Sequence, residues 1–259
     1  MHKYTGMKKF KHEELIREHY PNVIKERLSR STRPSIISDA VLGGIDGCVT
    51  TFAVVSGAVG AGFSSSVALI LGLANLIADG FSMAISNYES IKAQQEFAES
   101  VRLTEQEHID KIPEGEREEI RQIFQNKGFA GEVLDTIINT ICNDRRLWID
   151  TMLTEEHGVQ KFGPDPYKSA FTTFAAFIFV GAIPLIPYLF LGLERQLQFI
   201  ISACLAGIMF FSIGLMKSLV FAKPVIRSGL NTLLTGGAAA GLAFFTGYLL
   251  REILGIGGV

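Results

Sequence analysis

Apolar residues gather in five long blocks along this chain, over approximately 36–60, 66–91, 168–191, 197–219 and 228–252. Each is long enough to cross a bilayer core as a helix, which takes about 20 mostly apolar residues. The links are short except between the second and third blocks, where the pattern turns polar with helical periodicity. "IKAQQEFAESVRLTEQEHIDKI" continues straight out of the second block. Pro113 stops or kinks it, because its ring cannot continue helical hydrogen bonding. "PEGEREEIRQIFQNKG" predicts a second polar helix, with Pro113 near its start, acids in its first turn and Gly128 near its end. "AGEVLDTIINTICN" predicts a third, with Val133, Ile137, Ile138 and Ile141 on an apolar face. "DRRLWIDTMLTEEHGVQ" predicts a fourth, and "FGPDPYK" breaks helix before the third block. Ahead of the first block, residues 11–33 place Leu15, Ile16, Val23, Ile24 and Leu28 among charges. That spacing predicts an amphipathic helix on the inner membrane surface, interrupted or restarted at Pro21. Its His12 and His19 are expected to be solvated.

The pattern predicts an all-α membrane protein with five transmembrane helices. An amphipathic arm covers 1–35, helices one and two cover 36–91, and helices three to five cover 168–259. Residues 92–167 form a helical domain inserted between helices two and three. Lys/Arg bias sets the orientation. The basic arm and the 217–227 link (Lys217, Lys223, Arg227) belong inside, and the uncharged "AGFSS" link belongs outside. The N-terminus is therefore expected in the cytoplasm, the inserted domain also, and the C-terminus outside. The first apolar run starts near Ser35, too late and too long for a cleavable signal segment.

Charge changes the picture in one place. Over 92–165, sixteen acids face nine Lys/Arg. An acidic domain of this kind suits cations and excludes nucleic acid as its partner. The cysteines, Cys48, Cys142 and Cys204, are scattered and odd in number, neither a disulfide framework nor a CxxC site. Each is expected to be a small buried hydrophobe.

The acids inside the spans carry the candidate chemistry. Asp79, Met83 and Asn87 are spaced i, i+4, i+8 and form one helical stripe. Asp39 and Asp46 lie two turns apart on the first span. Ionisable groups at membrane depth are costly and usually face a pathway or a partner. The two stripes predict a lined path between helices one and two. Gly43–Gly47 beside Asp46, and Gly237–Gly241 in the fifth span, have the small-residue spacing that lets helices approach closely. Pro184 and Pro187 predict a kink in the third span.

In the inserted domain, Glu105 and His108 are i, i+3. So are Glu116 and Glu119 on the next helix. Met152 precedes Glu155 and Glu156 by one turn. Folding these helices together would converge carboxylates, an imidazole and a thioether. That donor set suits Fe²⁺, Mn²⁺ or Zn²⁺ over Ca²⁺ and Mg²⁺. A competing reading is a membrane-anchored di-iron enzyme or sensor whose spans only tether it. Such a site wants two ExxH pairs and two further Glu. Only Glu105–His108 fits, so the chain is expected not to be an enzyme.

Several stretches together resemble the vacuolar iron transporter family of divalent-metal transporters. They are "SDAVLGGIDGCVTTFAVVSG", "LANLIADGFSMAISNYES", "PEGEREEI", "WIDTMLTEEHG" and "GAIPLIPY". The resemblance implies five spans, a cytoplasmic helical metal-binding domain, and a homodimer with the first spans lining a path at the interface. It implies movement of Fe²⁺, often also Mn²⁺, out of the cytosol in exchange for protons. By the same resemblance Asp46 and Met83 form the membrane metal site and Asp39 lines the path nearer one mouth. Glu105, Glu116, Glu119, Met152 and Glu156 bind metal in the cytoplasmic domain. Two positions depart from the family pattern. His108 replaces an acid, and Leu153 replaces a second methionine, which makes the site harder. The short chain points to a prokaryotic plasma membrane ahead of a vacuolar one.

Overall fold

The structure is a computed structural model of the 259-residue chain that describes residues 12–29, 36–159, 163–190, 192–221 and 225–255. It is helical throughout these residues, with no strand among them. Two short helices, α1 (His12–Glu18) and α2 (Pro21–Ser29), divide at Pro21. α3 (Ile36–Gly60) is followed by α4 (Ser65–Lys111), whose 47 residues are more than twice what a bilayer core takes. α5 (Pro113–Asn126), α6 (Gly131–Cys142) and α7 (Arg145–Glu155) follow. α8 (Pro166–Gly181) leads into a 3-10 segment, Ile183–Leu189. The chain closes with α9 (Arg195–Phe221) and α10 (Val225–Leu254).

Among the described residues, four helices, α3, α4, α9 and α10, are long and apolar enough to cross a membrane. The bent pair of α8 and the 3-10 segment makes a fifth if it is one span; the bend is 42°. The prolines explain it. Pro184 and Pro187 remove amide donors that a continuous α-helix would need. The backbone tightens into 3-10 geometry instead, and the Ser202 hydroxyl donates to the freed carbonyl of Pro184 (2.7 Å).

The described residues divide into two compact units, one within residues 1–30, 34–88 and 166–259, the other centred on residues 89–165. In the first, α3 packs backbone to backbone against α8 and α10. A Cβ at Gly43 or Gly47 would run into the carbonyl of Thr173 or Phe177 on α8, so only glycine permits this approach. The Gly237–Gly241 pair does not do the same work, since both face open space. The buried stripe of α10 is Gly229, Thr232, Gly236, Ala240 and Gly247. Gly237 and Gly241 each lie one residue, about 100°, off it. Cys204 is likewise exposed, contrary to the expectation for all three cysteines. The buried face of α9 carries Gln198, Ser202, Ala206 and Phe210, and Cys204 points to the opposite side.

The second unit has its own core of Ile109, Ile120, Leu134, Ile138, Ile141, Trp148, Ile149, Met152 and Leu153. The apolar face of α6 is Leu134–Ile138–Ile141. Val133, expected on that face, is 59% exposed. Local signals set the helix ends. The Asp144 carboxylate accepts from the amides of Arg146 (3.0 Å) and Leu147 (3.1 Å), capping α7. Beyond the C-terminus of α5, Gly128 takes φ +94°, a conformation that favours glycine.

Candidate metal centre

The second unit brings most of the predicted ligands to one place. α4 supplies Glu105 and His108, α5 supplies Glu116 and Glu119, and the end of α7 supplies Met152 and Glu156. Each pair lies on one helix face because residues three or four apart are neighbours on a helix. Ile109, Ile120 and Ile149 anchor those helices from below. That anchoring carries carboxylates inward. Glu105 and Glu116 are 2% and 1% exposed. Met152 is fully buried within the core beneath them.

The polar contacts are few for so many acids. His108 Nδ1 lies 3.2 Å from Glu116 Oε1. His157 Nε2 lies 3.0 Å from Glu105 Oε1 and 3.5 Å from Glu156 Oε2. The second carboxylate oxygen of Glu105, and that of Glu116, is buried without a hydrogen-bond partner among the described residues. A buried carboxylate oxygen left unsatisfied is expensive. Its cost appears in the protonation of Glu116, whose carboxyl is pushed up to about 7. Burial is the main cause, followed by the charges of Glu105 and Glu119. Glu119 is raised too, by burial and then by Glu156 and Glu105. Burial and mutual repulsion favour the protonated forms of Glu116 and Glu119, and a nearby cation would favour the ionised ones.

Glu155 is placed elsewhere. It ion-pairs with Lys127, away from the cluster. α7 ends at Glu155, so Glu156 and His157 follow the turn out of the helix. Gly158, at φ +64°, completes that turn. His157 was not anticipated as a site residue. It stands outside the i+3, i+4 stripe that begins at Met152, and its contact with Glu105 spans 52 residues. A histidine directly before the glycine that ends a helix was the available signal.

In the first unit, Asn87 Nδ2 donates to Asp39 Oδ1 (3.2 Å) and to the hydroxyl of buried Thr173 (2.9 Å). It thereby ties α4 to α3 and α8. Asp46 and Asp79 lie close enough for their charges to interact, and both are half-buried. Met83 packs, half-buried, against a cluster that includes Val55, Leu76, Phe177 and Leu185. α4 meets the bundle through side chains, with Phe177 against Gly80 and Leu185 against Gly72. One stripe residue was missed. Asn75 continues the Asp79–Met83–Asn87 line by one more turn, and its amide nitrogen is buried without a partner among the described residues.

Comparison with known proteins decides the family. The model of the VIT family matches residues 37–248, which takes in both units. The chain belongs to the VIT family. It is 32% identical to a vacuolar iron transporter of Toxoplasma gondii over 236 residues, covering 87% of this chain and 78% of that one. It is 31% identical to a vacuolar iron transporter of Plasmodium berghei over 91% of this chain and 90% of that one. Vacuolar iron transporter 1 of Arabidopsis thaliana is 30% identical, over 82% and 85%. Membership and the long apolar helices together make this VIT-family chain an integral membrane protein.

Proposed function

We propose that the protein moves Fe²⁺, with Mn²⁺ as a second substrate, out of the cytosol across its membrane in exchange for protons. The observation that carries this reading is the acid cluster. Glu105 and Glu116 are buried beside Glu119, Glu156 and two imidazoles, and each keeps an unpartnered oxygen. Relatives that align over most of the chain are named vacuolar iron transporters, which supplies the substrate class.

The inserted unit is read as a cytoplasmic collector. Its carboxylates attract the divalent ion as substrate, and the imidazoles and Met152 bias it towards transition metals over Ca²⁺ and Mg²⁺. The membrane step is assigned to Asp46 and Met83, with Asp39, Asp79 and Asn87 lining the route. Asp46 supplies negative charge at membrane depth and Met83 a soft donor. A carboxylate in the route also carries a proton, which suits exchange. In this reading the protein works as a homodimer, with its N-terminus and inserted unit in the cytoplasm.

The test is Fe²⁺ uptake into proteoliposomes of oriented protein, with a pH gradient on and off. Wild type is expected to transport faster with the gradient. Asp46→Ala is expected to abolish flux, and Glu116→Ala to weaken it while leaving it measurable. Normal flux in Asp46→Ala would remove that residue from the route.

A further inference from the structure

Beside the carboxylates already described, one side chain has no assigned task. His157 lies past the end of α7, where the chain turns at Gly158. Its imidazole nitrogen meets the oxygens of Glu105 and Glu156, and these three ligand atoms all lie within 4.8 Å of one another. The group joins three different settings. Glu105 comes from the long helix α4, Glu156 from the cap of α7, and His157 from the turn beyond it.

We propose that His157 is a direct ligand to a divalent transition-metal ion, completing with Glu105 and Glu156 a site of one imidazole and two carboxylates. The proposal rests on the reading of this unit as metal-binding, and it adds a ligand that neither the helical spacings nor the family resemblance assigns. Three observations carry it. The first is distance. An ion with bonds of about 2.1 Å sets neighbouring ligand atoms about 3.0 Å apart in an octahedron and about 3.4 Å apart in a tetrahedron. The observed separations of His157 Nε2 from Glu105 and Glu156 are 3.0 and 3.5 Å. The second is the unmet demand of Glu105. Its side chain is 3% exposed; one oxygen faces His157, and the other is buried with no donor among the described residues other than a protonated Glu116 carboxyl. Without a cation the second oxygen depends on a proton shared with Glu116, whereas a bound cation neutralises the carboxylates directly. The third is access. The His157 side chain is 29% exposed, so the imidazole stands at the rim of a pair whose carboxylate is inside.

The binding step balances simply. The hydrated ion releases one bound water to solvent for each protein ligand it takes. Nε2 gives its lone pair to the metal, and any proton it shared with Glu105 leaves to solvent. An imidazole in the set disfavours Mg²⁺ and Ca²⁺, which take oxygen ligands, and favours Mn²⁺, Fe²⁺ and Zn²⁺. His108, on Glu116, is the other imidazole in the unit, so the two must be distinguished by experiment.

The test uses Mn²⁺ as probe on the full-length protein in detergent. Affinity is read by equilibrium titration, and pulsed electron paramagnetic resonance reads nitrogen coupling to the bound ion. Wild type is expected to show imidazole nitrogen coupling. His157→Gln is expected to lose coupling from one nitrogen and to weaken binding on the order of tenfold or more, since even outer-shell partners of a metal site cost 10–100-fold. His157→Glu is expected to recover affinity without that coupling and to bind Ca²⁺ better than wild type. Unchanged coupling and affinity in His157→Gln, with coupling lost only in His108→Gln, would overturn the ligand assignment and leave the metal-binding unit standing. Absence of Mn²⁺ binding by wild type would overturn both together.

Discussion

In the unit of residues 34–88 and 166–259, glycine decides where helices lie; in the unit of residues 89–165, isoleucine and leucine do. Gly43 and Gly47 bring α3 onto the backbone of α8, where a single methyl group would collide. Ile120 and Ile138 hold the second unit by filling its core, each fully buried. The difference follows from the solvent. Within lipid there is little gain in hiding one apolar side chain from another, so close backbone packing and a few hydrogen bonds do the holding. In water, apolar burial itself drives association, at about 25 cal/mol per Å². The polar groups follow suit. The membrane unit ties Asp39 through the Asn87 amide, while the second unit crowds Glu105, Glu116 and Glu119 into a cluster with too few donors. Buried polar atoms without partners among the described residues occur in both units, at Asn75 in the first and at Glu105 and Glu116 in the second, but only the second crowds acids around them.

This contrast can be broken most forcefully at Gly43. Gly43→Leu drives a side chain into the Thr173 carbonyl, and backbone on both sides leaves little room to give. The expected loss exceeds about 3 kcal/mol, beyond ordinary overpacking, and is read as loss of the monodisperse peak in detergent chromatography. Gly237→Ala serves as the control, because Gly237 faces open space. It is expected to leave stability unchanged or raise it by up to about 1 kcal/mol through helix propensity.

The second unit is tested by the pair Ile138→Ala and Val133→Ala. The first is expected to cost about 2–5 kcal/mol through lost burial and a cavity. The second removes an exposed side chain and is expected to stay within about 0.5 kcal/mol of wild type. Urea titration followed by the fluorescence of Trp148, which sits in that core, separates them.

The acid cluster sharpens the contrast through pH. Glu116 has its pKa raised in the folded protein, from 4.5 to about 7. The folded state therefore favours the protonated form. That contribution to stability is complete below pH 4.5 and is lost as pH rises through about 7. Glu116→Gln mimics the protonated form. Without metal it is expected to melt higher than wild type at pH 8, by on the order of 1–3 kcal/mol. The gap should close towards pH 5. Melting in a chelator at pH 5, 7 and 8 checks this, and a gap independent of pH would deny the crowding. If the proposed metal binding holds, metal is expected to reverse the order, because a ligand at 100 times its Kd stabilises the binding-competent form by about 2.7 kcal/mol.

The smallest effect is expected at Asn87. Asn87→Ala removes the donor to Asp39 and Thr173. Interhelical hydrogen bonds in membranes average about 0.6 kcal/mol, so a shift of about that size is expected in thermal melting. A loss of several kcal/mol would mean that the membrane unit depends on its polar stripe as much as on its glycines.

Much of the architecture was legible in the pattern of apolar positions. The candidate spans begin and end within a few residues of α3, α9 and α10, and α5 starts where proline and first-turn acids said it would. Pro113 opens α5, whereas the Asp144 cap of α7 came only with the structure. Groupings of candidate ligands set by spacing within one helix were legible for the same reason. Glu105 with His108, and Glu116 with Glu119, lie on single faces whatever the tertiary fold. His157 was not legible, because its partner Glu105 is distant in sequence and the helix that carried the spacing rule had already ended. Glu155 shows the converse. One turn from Met152, it satisfied the spacing, but the fold turns it to Lys127.

By itself, then, the sequence determined the elements, their ends and the residue types that converge, since these rest on local propensity, length and period. Only the tertiary structure decided the phase of each helix. Val133 lost its buried place to Leu134, Gly237 to Gly236, and Cys204 to the side of α9 that carries Ser202 and Ala206. A helix with apolar residues on more than one side can bury any of several neighbouring stripes at similar cost. The choice among them is made by what packs opposite, and that is a property of the fold.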